Sequence, residues 1–73
     1  MAERRLGNRL KEVRTARGRT QTDLAALVGV SRKTINTVEN SVFVPSTLLA
    51  LALAKTLGTT VEQLFFIIAD EEE

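Results

Sequence analysis

The stretch from Thr20 to Glu39, TQTDLAALVGVSRKTINTVE, constrains the fold more than any other part of the chain. Two helical periods stand on either side of a short break. Leu24, Ala25, Leu27 and Val28 share the apolar face of the first. Ile35 and Val38 share the inner face of the second. Thr20 offers a hydroxyl to the free amides of a first turn, and Asp23 follows at the positive end of the helix dipole. Gly29 suits the left-handed end of that helix, and Ser31 suits the cap of the next. Helices this short are marginal alone, so the two must pack across the corner. Ala25 is small where the second helix crosses closely, and Val30, Ile35 and Val38 seal the angle.

Two helices joined in this way form a helix-turn-helix, whose second helix enters the major groove of DNA. The outward face of that helix agrees. With Ile35 and Val38 buried, Arg32, Lys33, Asn36 and Thr37 point away, and the pairs 32/36 and 33/37 are each four residues apart. Arg and Lys can donate to guanine, Asn can pair with adenine, and Thr can touch a thymine methyl. The competing account is an ordinary solvated helix face; the corner beside it favours the DNA reading.

The rest of the chain extends an all-α expectation of five helices. The first is expected from about Glu3 to Arg17, with Leu6, Leu10 and Val13 on one face and Gly18 as its cap. Helix three runs from Arg32 to about Asn40. Ser46, after Pro45, opens helix four, which ends at Gly58. Thr60 and Gln63 have capping-box spacing for a fifth helix running into Phe65-Phe66-Ile67-Ile68-Ala69. A single extended strand at 66–69 is the alternative for that last run, with an intermolecular pairing left open. The domain is expected over 1–69, with a dimerisation segment at 61–69 and an acidic tail at 70–73.

Composition narrows function further. The chain has 73 residues, no cysteine and no histidine, and its formal net charge is +1. Disulfides and thiolate metal sites are excluded, and the commonest general base is missing. No catalytic grouping can be assembled, so an enzyme is not expected, nor a cofactor or metal. Charge is unevenly spread. Residues 1–33 hold nine of the ten basic residues and three of the nine acids, while residues 70–73 are all acidic. A basic half fits a polyanionic partner. No signal peptide or membrane-spanning run is read, and no small-molecule ligand is evident.

Arg14, Gly18, Thr20-Gln21, Leu24-Ala25, Gly29-Val30-Ser31, Thr34-Ile35, Val38-Glu39-Asn40 and Pro45-Ser46 together resemble the Cro and lambda-repressor-like (Xre) helix-turn-helix family of phage repressors and bacterial regulators. The resemblance covers about Leu6 to Phe65. It implies a compact five-helix lambda-repressor-like domain that binds double-stranded DNA in the cytoplasm. It implies base contacts from Arg32, Lys33 and Thr37, beside Asn36 from the exposed face. It implies phosphate contacts from Gln21, Ser31 and Asn40, with Gln21 bracing the recognition helix. Arg14 and Glu39 match a structural ion pair between helices one and three. Arg17 and Arg19 either reach the DNA backbone or remain solvated. Two positions depart from the pattern. Ser41 stands where glycine is usual, at a place of positive φ, and Arg19 replaces an apolar residue.

The apolar content exceeds what one small core covers. Leu49, Leu53 and Leu57 make one stripe of helix four, Leu48 and Ala52 another, and the 65–69 run follows. A surface of that kind marks an interface. The expectation is a homodimer through Phe65, Phe66, Ile67 and Ile68 with part of helix four, reading a palindromic operator. An antitoxin-like regulator, holding a partner protein on the same apolar surface, is the alternative.

Overall fold

A computed structural model describes residues 4–69. The order is β1 (Arg4–Asn8), α1 (Leu10–Ala16), α2 (Gln21–Val28), α3 (Arg32–Glu39), α4 (Thr47–Leu57), α5 (Val61–Leu64) and β2 (Phe65–Ala69). The acidic tail at 70–73 lies outside the described residues.

The five helices form where caps and periodicity place them, but the all-α expectation is corrected at both ends. Residues 4–8 are a strand, not the first turns of helix one. They pair antiparallel with β2, in register from Arg4 with Ala69 to Asn8 with Phe65. The 65–69 run is thus a strand paired within its own chain. The reason is mutual. Phe65 to Ile68 are aromatic and β-branched residues suited to a pleated surface, and Gly7 weakens a helix over 4–8. Leu6 still packs on the core as its spacing suggests, but from a strand.

Gly7 also has a steric role. A Cβ placed there would lie 2.3 Å from Cε1 of Phe66 and 2.7 Å from Cδ1 of Ile68. The Phe66 ring lies over the glycine directly across the ladder and carries the Arg9 guanidinium 4.5 Å from its centroid, a cation–π geometry.

Local signals in the middle of the chain act as their chemistry suggests. Thr20 and Asp23 form a reciprocal capping box, and Gly29 closes α2 in the left-handed region. Ser31 and Ser46 cap α3 and α4 through the amides of Thr34 and Leu49. Thr60 accepts from Gln63 N, but the Gln63 side chain pairs with the Thr59 hydroxyl instead of completing a box. Helix α5 is one turn long, because the chain extends at Phe65.

One core joins all five helices. Leu10, Leu24, Ile35, Val38, Leu53 and Leu64 are fully buried within it. Leu49, Leu53 and Leu57 form the buried stripe of α4, and Leu48 on its other face is 78% exposed. Leu27, expected on the inner face of α2, is instead exposed.

Candidate nucleic-acid interface

The helix-turn-helix is held from behind by one buried guanidinium. Arg14 of α1 is only 7% exposed. Its Nε donates to Glu39 Oε2 at 2.6 Å and its Nη2 to Glu39 Oε1 at 3.2 Å. Its remaining arm, Nη1, donates to the Arg19 carbonyl at 2.8 Å. The fork therefore ties α3 to α1 and also pins the backbone of the α1–α2 corner. The Arg19 side chain at that corner is exposed, which accommodates a charged residue where the pattern has an apolar one. Charge-assisted two-point pairs of this kind are strong and directional.

From Glu39 the network runs outward to the polar face. Gln21, at the first position of α2, donates from Nε2 to Glu39 Oε1 at 2.9 Å and to Asn36 Oδ1 at 3.2 Å. Its Oε1 accepts from Arg32 Nη1 at 3.2 Å. Asn40 Nδ2 donates to the same Asn36 oxygen at 3.3 Å. Gln21, Arg32, Asn36 and Asn40 thus lie together on one side of α3, backed by a nearly buried ion pair. Arg32, Lys33, Ser31 and Asn40 are exposed, whereas Gln21, Asn36 and Thr37 are half-buried. The Asn36 oxygen is already held by two donors within the chain.

Several residues around this surface take positions that the sequence signals only weakly. Asn8 of β1 donates from Nδ2 to the Val38 carbonyl at 3.0 Å and accepts from Leu10 N at 3.0 Å. Its position just before a helix hints at the second bond, since Asn favours helix starts. Nothing local hints at the first. Arg17 is turned away to the end of α4, where its Nε donates to the Leu57 carbonyl at 2.8 Å. Phe43, in the loop after α3, is exposed beside Thr37. Ser41 adopts φ 61°, the only non-glycine positive φ among the described residues.

The helix-turn-helix family profile matches residues 10–64 of the chain. The chain belongs to the helix-turn-helix family of lambda-repressor-like (Xre) regulators. It is 42% identical over 64 residues to the HTH-type transcriptional regulator MJ0272 of Methanocaldococcus jannaschii, itself uncharacterized, covering 88% of this chain and 97% of that one. It is 39% identical over 66 residues to the regulator YgzD of Bacillus subtilis, also uncharacterized, covering 90% and 96%. Among solved structures it superposes with a TM-score of 0.71 on the restriction-modification controller protein C.AhdI from Aeromonas hydrophila. That match has 36% identity over 75% of this chain and 83% of C.AhdI.

Membership makes this Xre-family chain a DNA-binding transcriptional regulator. Among the described residues no helix is long and apolar enough to cross a membrane.

Proposed function

We propose that this regulator binds a specific double-stranded DNA sequence as a homodimer, with residues 31–40 in the major groove. The observation that carries the reading is the bracing of Arg32 and Asn36 by Gln21, itself held by Glu39. Such bracing lowers the side-chain ordering cost of binding, because exposed long side chains otherwise lose rotamer freedom on contact. Arg32, Lys33, Asn36 and Thr37 read base edges. Asn36 does so by exchanging one of its internal partners for a base. Gln21, Ser31 and Asn40 hold phosphates around the groove, Gln21 by releasing one of its two internal acceptors, and so set register without reading sequence.

The dimer rests on the apolar surface beside the sheet. Ile67 is 65% exposed on β2, and Leu51 is exposed on α4. Leu51 lines an open groove with Val44, Ala50, Val61, Phe65 and Leu6, the last being the ladder partner of Ile67. Phe65 is only 8% exposed, so it supports this surface from the core while Ile67 and Ile68 supply area to a partner. Two copies related by a two-fold axis would place their recognition helices on half-sites about 34 Å apart.

Selection of bound sites from a random duplex library at near-physiological salt tests the reading. A palindromic motif with half-sites about one helical turn apart is the expected result. No enrichment above background would remove sequence-specific binding from this account.

A further inference from the structure

A small open notch lies beside the recognition helix, lined by Ser31, Lys33, Thr34, Thr37 and Phe43. Its hydroxyl groups are already engaged within the chain. Ser31 Oγ accepts from Thr34 N at 3.1 Å and lies 3.0 Å from Thr34 Oγ1. Thr37 Oγ1 donates to the Thr34 carbonyl at 2.9 Å. The surface left uncommitted is apolar: the threonine methyls and the Phe43 ring, which is 47% exposed. Lys33 supplies the one charge of the lining.

The aromatic side of the notch is fixed by main chain. Val42 N and Phe43 N both donate to the Thr37 carbonyl, at 2.9 and 3.2 Å. The loop is thereby folded back against α3, and Ser41 takes its positive φ at the start of that reversal. A phenyl ring held this way keeps nearly half its surface exposed beside the base-reading helix.

We propose that this notch receives the 5-methyl group of a thymine, which makes Phe43 a specificity-determining residue. The inference rests on the assignment of Lys33 and Thr37 to base contacts. The major-groove edges of the four base pairs present donors, acceptors and a single apolar group, the thymine methyl. A notch whose hydroxyls are internally bonded, and whose free surface apart from the Lys33 ammonium is ring and methyl carbon, matches that group. The positive Lys33 ammonium fits the polyanion that carries it.

The test uses the full chain and an operator obtained by selection. Each thymine is replaced in turn by uracil, which removes only the methyl group. At one position in each half-site, wild-type binding is expected to weaken about fourfold, the ratio for burying one such carbon. Phe43→Ala is expected to bind thymine and uracil operators alike, with the wild-type affinity for the uracil operator. Phe43→Leu keeps the discrimination. Circular dichroism and melting of each variant separate these effects from unfolding. Wild-type tolerance of uracil at every position overturns the proposal, as does discrimination retained by Phe43→Ala. If no sequence is selected at all, the base-reading assignment fails and the notch falls with it. The two failures are told apart because uracil tolerance is measured on an operator the protein already prefers.

Discussion

The Asn8 side-chain amide donates to the Val38 carbonyl at 3.0 Å while its oxygen accepts from Leu10 N at the same distance. One side chain on β1 therefore starts α1 and finishes α3. Weaker approaches to the Glu39 carbonyl and Ser41 Oγ, both 3.4 Å, extend the second role. Asn8→Ala removes a helix-start bond and a part-buried donor together. It is expected to cost about 1–2 kcal/mol by urea denaturation. An unchanged midpoint would mean that water replaces both bonds fully.

The Arg14–Glu39 pair offers a steeper loss. Both side chains are nearly buried, at 9% and 3% exposure. Removing one partner strands the other charge, so Arg14→Met is expected to cost about 3 kcal/mol or more. The double variant Arg14→Met/Glu39→Leu should cost less than the two single changes added together, and thermal melts of all four proteins measure that coupling.

Ser41 offers a gain. At φ 61° a side chain carries a left-handed backbone penalty that glycine avoids. Ser41→Gly loses only the long approach to Asn8 and gives the unfolded chain more freedom. The net expectation is stabilisation of roughly 0.5 kcal/mol, read as a higher melting temperature.

DNA binding should separate the two kinds of contact. Arg32→Ala should weaken the selected site by about 1–3 kcal/mol and relax preference at one base pair. Gln21→Ala should weaken random DNA through the lost phosphate contact and the selected site further, because Arg32 and Asn36 lose their brace, and wild-type affinity should fall steeply with added salt. Equal loss on both DNAs for Arg32→Ala would remove its base-reading role.

Oligomeric state is best tested at Ile67, which is 65% exposed, with a melt of the variant checking that its fold is kept. Phe66 is a poorer choice, because its ring covers Gly7 and carries Arg9. Ile67→Glu should sediment as a monomer at concentrations where the wild type is a dimer. A dimeric variant would move the interface away from the sheet.

The central helices were legible because their signals act over a few residues. Thr20 with Asp23, Ser31 with Thr34 and Ser46 with Leu49 each cap within one turn. The grouping of Gln21, Arg32, Asn36 and Asn40 follows from helix periodicity and one tight corner. Their partners do not. Which oxygen of Glu39 holds Gln21, and that Arg17 reaches Leu57, depend on how the helices are set against one another.

The ends show where local chemistry stops. Leu6, Leu10 and Val13 share helical spacing, and nothing within residues 4–8 rules out a helix there. The strand forms because Phe65–Ala69 returns alongside it, sixty residues later, and satisfies its backbone bonds. Helix starts, stops and inward faces are written in short-range periodicity and caps, which a sequence displays directly. Strand pairing, the Asn8 bridge to Val38 and the Phe43 notch arise only when distant segments meet, because the hydrogen bonds and surfaces that define them belong to two parts of the chain at once.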